Sequence, residues 1–280
     1  MQLRFLGTGT SVGVPQIGCR CHVCTSSDPR DRRRRCGAYV RSGEIGFLID
    51  TPPELRLACI EYGIDRVDAV LMTHSHMDHA AGFDDVRRFN TLNGTWVECS
   101  PSDEGANGRT KLCIGKVLPC YAMRETEESM HKIFPYISKN GGKNGLFRPQ
   151  VEFDNSESFA IGDVRVERLP VEHGFPCCGY LLREKGRDAD GGIAYISDCH
   201  EIPRETLDRV RGVGTLVLNC LRERPHPTHL SLVESLAYIA EIAPRRAYLI
   251  HMCHDISHAD LAAKLPPGVE PAFDGLEITA

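Results

Sequence analysis

The chain has 280 residues, 41% of them hydrophobic and 25% charged, which is the make-up of an ordinary folded protein and excludes a fibrous or disordered one. Thirty-eight acidic residues against 33 basic ones give a net charge of −5, a poor match for a protein that lives by neutralising nucleic-acid phosphates. No apolar run is long enough to cross a bilayer, and the first residues read as a strand, not a signal peptide. A cytoplasmic protein without membrane contact is therefore expected. At this length one large domain spanning 1–280 is expected. Two counts stand apart from the rest: 13 cysteines, an odd number in a chain too long to need disulfide staples, and 12 histidines that cluster. Without a secretion signal the thiols should be reduced, free to bind metal or to pack as small apolar groups.

In chain order, a short apolar strand over 3–6 leads into Gly7-Thr8-Gly9-Thr10 and a cysteine-bearing loop. Strands over 38–41 and 45–50 flank Ser42-Gly43-Glu44 and predict a hairpin. Pro52-Pro53 opens a helix to about residue 62, since proline is tolerated in a first turn. An apolar strand over 67–73 runs straight into histidine-rich sequence, and a helix over 80–89 follows. Residues 93–116 carry Gly, Ser and Asn without a clear period and read as an irregular insertion. Next come a strand at 117–121, a helix at 125–136 and a Gly/Asn-rich loop at 140–145. Strands at 164–169, 179–183 and 193–197 precede an alternation of helix 205–210, strand 215–219, helix 232–242 and strand 246–250. Two sheet-and-helix halves of this kind predict an α/β, four-layer αββα sandwich.

The densest chemical signal is His74-Ser75-His76-Met77-Asp78-His79, at the end of an apolar strand. His74 and His76 alternate and can point the same way, while Asp78 and His79 can approach after a turn. Imidazole and carboxylate suit zinc, manganese or iron. Other strand ends deliver matching groups: Asp50, His173, Asp198 and His251. Each alone could be a cap or a surface residue. Together they point to one shared centre on one rim.

A second cluster is Cys19-Arg20-Cys21-His22-Val23-Cys24. Its C-x-C-x-x-C spacing lets three thiolates converge on a tetrahedral zinc with one more ligand from Cys36, His22, His226 or His229. Arg30, Arg32, Arg33, Arg34 and Arg35 follow; a solvated face is the plainer reading, attraction of a phosphate the sharper one. Arg87 and Arg88 lie at helical spacing from Asp84 and Asp85. His254 and His258 sit near His251 but carry little signal by themselves.

The pattern Asp50, His74-x-His76-x-Asp78-His79, His173, Asp198, His251 resembles the five motifs of the metallo-β-lactamase superfamily. The resemblance implies the αββα fold and a dinuclear centre of manganese or zinc. One ion would take His74, His76 and His173 and the other Asp78, His79 and His251, with Asp198 bridging and Asp50 orienting ligands. Phe5-Leu6-Gly7-Thr8-Gly9-Thr10, Gly13-Val14-Pro15, the cysteine loop (18–36 with its flanks) and Phe273-Asp274-Gly275-Leu276-Glu277 narrow it further. They resemble the phosphodiesterases of the carbon–phosphorus lyase pathway, which open phosphoribosyl 1,2-cyclic phosphate. That resemblance implies a structural zinc on Cys19, Cys21, Cys24 and His229. The chain departs from the family where it reads Asn219-Cys220-Leu221-Arg222, at a segment that elsewhere supplies a catalytic histidine. His226 is then the candidate general acid, and Asp78 a second proton-handling group.

Hydrolysis is the chemistry these features imply: hydroxide bridging two ions attacks phosphorus in a small cyclic phosphodiester. A homodimer is compatible with the resemblance, and nucleic acid is not an expected partner. The rival readings are a ribonuclease Z-like RNA-processing nuclease, a thioester or lactone hydrolase, and a non-enzymatic protein that uses zinc only structurally.

Overall fold

Side-chain burial alternates along the strands, and this sets the layers. In the computed structural model, which describes residues 1–102, 108, 110–137, 148–186 and 191–279, the first half runs β1 (Gln2–Gly7), β2 (Gly37–Ser42), β3 (Ile45–Ile49), α1 (Leu55–Glu61), β4 (Ala69–Leu71), α2 (Met77–Ala80), α3 (Val86–Leu92), β5 (Thr95–Glu98), β6 (Lys111–Ile114), β7 (Leu118–Tyr121), α4 (Arg124–Ile133) and β8 (Val151–Asp154). The second half runs β9 (Ser158–Ile161), β10 (Val164–Val171), β11 (Cys177–Glu184), β12 (Ile193–Ile196), α5 (Arg204–Val210), β13 (Thr215–Asn219), α6 (Leu232–Ile242), β14 (Arg246–Ile250), α7 (His258–Lys264), β15 (Val269–Pro271) and β16 (Glu277–Thr279).

Two seven-stranded sheets result, ordered β16-β1-β2-β3-β4-β7-β8 and β15-β14-β13-β12-β11-β10-β9. Phe47 and Ile49 of β3 pack in one buried cluster with Val166, Tyr180, Tyr195 and Val217, drawn from both sheets. Leu48 faces the opposite way, with residues of α1, α3 and α4. Leu216 and Leu218, either side of Val217, face residues of α5, α6 and α7. Strands apolar on both faces must be covered on both faces, and the outcome is the four-layer αββα sandwich expected from the sequence. Among the described residues no helix is long and apolar enough to cross a membrane.

Parallel pairing places the rim. β3, β4, β7 and β8 are mutually parallel neighbours, as are β12, β13, β14 and β15. Parallel neighbours need crossovers, which the helices supply, and so their carboxyl ends share one side of each sheet, where α/β folds place their ligands. Asp50 follows β3, residues 73–79 follow β4, Asp198 follows β12 and His251 follows β14. Asp50 and His251 hold φ at 63° and 59°, a left-handed conformation that is unusual for residues other than glycine and concentrates at functional sites.

The structure departs from expectation at several places. The helix expected over 80–89 is broken: α2 ends at Ala80, a 3-10 turn covers Phe83–Asp85, and α3 starts at Val86. The break falls where the Gly82 N–H leaves the helical ladder and donates to the Thr51 carbonyl at 2.9 Å, an approach that only glycine allows, since a Cβ there would lie 2.2 Å from the Pro52 carbonyl oxygen. Part of the insertion expected to be irregular is a hairpin, with β5 and β6 pairing Trp96 opposite Cys113; residues 103–107 and 109 lie outside the described residues, as does the loop expected at 140–145. Strands β8, β9, β15 and β16 and helix α7 were not expected; α7 is started by Ser257, whose hydroxyl accepts from the Asp260 N–H at 3.1 Å. Four of the five arginines of the basic run are taken up by the fold, and Arg32 stays exposed. Arg30 pairs with Asp28, Arg34 with Glu61 and Arg35 with Glu54, while Arg33 is buried outright. Arg87 pairs with Asp84 at 3.2 Å, as the helical spacing suggests.

All 13 cysteines are free. Burial pushes the Cys59, Cys178 and Cys220 thiols up to about 12, so these pack as small apolar groups. Truncating Phe47, fully buried between the sheets, should cost about 3–5 kcal/mol in a urea unfolding curve; a Phe47→Ala loss below about 1 kcal/mol would contradict this account of the core.

Candidate metal centre

Asp50 organises the rim from beneath. Its buried carboxylate accepts from the Thr73 N–H and hydroxyl, both at 2.8 Å, and from His79 Nδ1 at 2.7 Å. The Thr73 hydroxyl, having donated its proton to Asp50, can only accept from His74 Nδ1 at 2.9 Å. His173 Nδ1 donates to the Thr228 carbonyl at 2.9 Å. In each of the three histidines the partner holds a proton on Nδ1 and turns Nε2 into the rim, the usual way an imidazole is oriented as a ligand.

The ligand atoms then converge. His74, His76 and His173 form one group and Asp78, His79 and His251 another, with atoms within 4.8 Å of each other; Asp198 joins His74 and His79, and also His173 and His229. Asp198 Oδ2 lies 3.1 Å from His79 Nε2, and Oδ1 lies 3.0 Å from His251 Nε2. Yet His79 Nε2, His251 Nε2 and Asp198 Oδ2 are buried without a hydrogen-bond partner. Close polar atoms that face each other without donating are arranged for a cation among them, and nitrogen with carboxylate oxygen suits a divalent one.

The electrostatics agree. Burial works against the Asp198 carboxylate, but His251 and His79 outweigh it and hold the group well below the usual carboxylate range. Burial likewise disfavours charge on His79 and His251, and is overcome by Asp198 with Asp50 for the first, and by Asp198 with Asp78 for the second, which rises to about 9. The carboxylates thus draw positive charge into a site that solvent barely reaches.

A cleft of about 390 Å³ opens beside these groups, lined by Ser11, His76, Asp78, Phe175, Thr228 and His229 among others. Phe175, 39% exposed, sets its ring 4.8 Å from that of His76. Two expectations change here. His229 is not at the thiol loop: its Nδ1 is 3.6 Å from Asp198, and its ring lies 4.8 Å from His173 and 4.6 Å from His251. His226, expected as the general acid, is one ring further out, 5.3 Å from His229, with Nδ1 accepting from the Thr228 N–H at 3.3 Å. It fixes the turn, and His229 is the histidine that faces the cleft. Burial, then the neighbouring His251, pushes His229 down to about 3, so its ring is neutral.

The fourth member of the thiol cluster is His254. Its Nδ1 lies 3.2 Å from Cys19 Sγ and 3.4 Å from both Cys21 and Cys24 Sγ. The physical reason is the reach of one loop: His251 closes the rim, and three residues on the same segment has turned outward to the cysteines. The spacing His251-x-x-His254 was the available signal. Phe175, in the turn between β10 and β11, gave none.

A family model described as the beta-lactamase superfamily domain matches residues 46–252. The chain belongs to this superfamily. A solved structure described as a new diphosphatase from the PhnP family is 34% identical with a TM-score of 0.81, covering 99% of this chain and 96% of that one, which puts the chain on the superfamily's PhnP-family branch. The octanoyltransferase of Porphyromonas gingivalis is 30% identical over 283 residues, 99% of this chain and 51% of that protein. The ribonuclease Z of Deinococcus radiodurans is 28% identical over 164 residues, 51% of this chain and 43% of that protein. The chain thus spans about half the length of these curated relatives. Within this superfamily fold, the His/Asp clusters of the rim are groups of side chains among which divalent ions fit.

The two sets of ligands separate by mutation. Metal analysis of purified protein should find that His254→Ala loses one ion per chain and its thiolate signature, while His229→Ala keeps that ion. The reverse result would return His229 to the thiol cluster. Asp50→Ala should weaken ion binding at the rim by about 10- to 100-fold, read by chelator competition.

Proposed function

We propose that the chain is a phosphodiesterase that hydrolyses small cyclic phosphodiesters, of the phosphoribosyl cyclic phosphate or cyclic-nucleotide kind. The observation that carries this reading is Asp198, its two oxygens turned toward histidines of a paired nitrogen–carboxylate site that opens onto a small cleft. In this reading His74, His76 and His173 hold one ion, Asp78, His79 and His251 the other, and Asp198 lies between. Manganese and zinc both suit these ligands. When bound, the ions supply Lewis acidity: they neutralise charge on a phosphoryl oxygen and acidify water toward neutrality.

The chain's own residues do the rest. Asp78, kept ionised by His251 and His79 despite burial, takes up the proton of the attacking water only in passing and hands it to the leaving oxygen, which departs as a hydroxyl. His229, neutral and facing the cleft, donates a hydrogen bond to the leaving oxygen or to a phosphoryl oxygen. Phe175 offers an apolar ring on which a sugar or base can lie. The named lining of the cleft includes no arginine or lysine, which suits a diester carrying a single negative charge better than a polyanion. The thiol cluster, closed by four ligands, holds a structural zinc and takes no part in chemistry.

A second reading, cleavage of RNA, is favoured by the ribonuclease Z relatives. A panel separates the two: phosphoribosyl 1,2-cyclic phosphate, 2′,3′-cyclic nucleotides, a p-nitrophenyl diester, a thioester and a precursor tRNA, each with manganese- and zinc-loaded protein. Opening of a cyclic diester, abolished in Asp198→Ala and without tRNA cleavage, is expected. Turnover of tRNA or thioester with inert diesters would overturn the proposal. His229→Ala should lower kcat on cyclic diesters by about 100-fold and far less on the p-nitrophenyl diester, whose leaving group needs no help; equal losses would remove His229 from that role.

A further inference from the structure

The thiol cluster and the rim share one piece of chain, residues 251–258, which runs from the end of β14 to the first residue of α7. His251 belongs to the rim and His254 to the cysteines. The loop's start is held by main-chain bonds: Met252 N–H donates to the Thr8 carbonyl at 3.0 Å, and the Met252 carbonyl accepts from Thr10 at 3.2 Å. Beyond that point the Cys253 N–H donates to the Leu221 carbonyl at 3.0 Å and Arg224 pairs with Asp255 at 2.7 Å, and one buried side chain reaches both flanks of His254. Arg33 Nη1 donates to the Cys253 carbonyl at 2.6 Å and Nη2 to the Ile256 carbonyl at 3.0 Å, so one guanidinium grips the loop on both sides of His254.

Arg33 also holds the other half of the cluster. Its main chain exchanges two hydrogen bonds with Val14, each 2.8 Å, and Val14 packs with Val23 and Cys24 against Cys19 and Cys21. Asp31, buried beside it, lies 3.3 Å from Nη2 and accepts from the His258 N–H at 2.7 Å. Gly9 makes the approach possible, since a Cβ there would lie 2.9 Å from Arg33 Cβ. A fully buried guanidinium and carboxylate contribute little to stability over apolar side chains of the same size. What this pair does provide is a fixed geometry between two loops.

We propose that Arg33, supported by Asp31, is a positioning residue that couples the two centres. Filling the Cys19–Cys21–Cys24–His254 cluster fixes the 251–258 loop, and with it the left-handed His251, so that the rim binds its ions more tightly. The inference rests on the reading of both clusters as metal centres.

Cobalt(II) titration of metal-free protein tests it. A thiolate-to-cobalt charge-transfer band reports the cysteine cluster, and ligand-field absorption without thiolate reports the rim. The thiolate band should fill first. Arg33→Met should then lower the rim's cobalt affinity by about 10-fold, with partial recovery in Arg33→Lys, which can still donate to one carbonyl. Should Arg33→Met fail to fold, hydrogen exchange on the wild-type chain decides: amides of residues 251–258 should slow when one equivalent of cobalt occupies the thiols. Rim affinity unchanged in a folded Arg33→Met, or exchange unchanged by the first equivalent, overturns the coupling. Absence of either cobalt signature in the wild-type chain would instead overturn the two-centre reading beneath it.

Discussion

Two carboxylates, Asp50 and Asp198, are buried at the ends of strands from opposite sheets, and the rest of the rim is arranged around their charge. An ionised carboxylate away from water is costly unless it is paired or fully hydrogen-bonded. Asp50 meets that condition with protein groups alone, accepting from Thr73 and His79. Asp198 does not: its Oδ2, like Nε2 of His79 and His251 facing it, is buried without a hydrogen-bond partner. The first carboxylate thus orients the histidines around it, and the second is the one whose surroundings suit a cation. The parallel halves of both sheets serve this division by delivering their carboxyl ends to one edge.

How far the sequence disclosed this depends on the distance over which each signal acts. The His74–His79 motif was legible because its donors lie within six residues and an apolar strand fixes where they emerge. Asp50, Asp198 and His251 could be found because each directly follows such a strand. The layers followed from strands apolar on both faces, as in β3 and β13. The identity of the fourth thiol-cluster ligand was barely legible, its one signal being the spacing of His254 from His251. Cys19 and His254 are separated by 235 positions, and what joins them is the burial of Arg33, which in sequence is one arginine among five. His229 was drawn to the wrong cluster by analogy, and only the path of the turn after β13 shows it beside Asp198. Strands of three or four residues, such as β15 and β16, are too short to display a period, and Gly82 interrupts a helical pattern for a tertiary reason, the nearness of Pro52.

The relatives carry names as different as diphosphatase and ribonuclease Z, as expected of a scaffold that hosts several activities, each set by the residues around the site. Here the surroundings are His229 and Phe175, both on turns that cross the carboxyl end of the second sheet. A neutral imidazole and an apolar ring beside a small cleft favour a compact diester. Of the basic run that might have drawn a larger anion, Arg30, Arg34 and Arg35 are in ion pairs with Asp28, Glu61 and Glu54 and Arg33 is in the buried clamp on the 251–258 segment, which leaves Arg32 exposed.

The central claim is that this chain builds two kinds of metal centre, a paired nitrogen–carboxylate site and a closed thiolate site three residues away along one loop. Anomalous diffraction from crystals grown with manganese and zinc, collected at both absorption edges, tests it directly. The account predicts two peaks flanking Asp198, bounded by His74, His76 and His173 on one side and by Asp78, His79 and His251 on the other. It predicts a third, zinc-only peak among Cys19, Cys21, Cys24 and His254. A single peak at the thiols with none at Asp198 would contradict it.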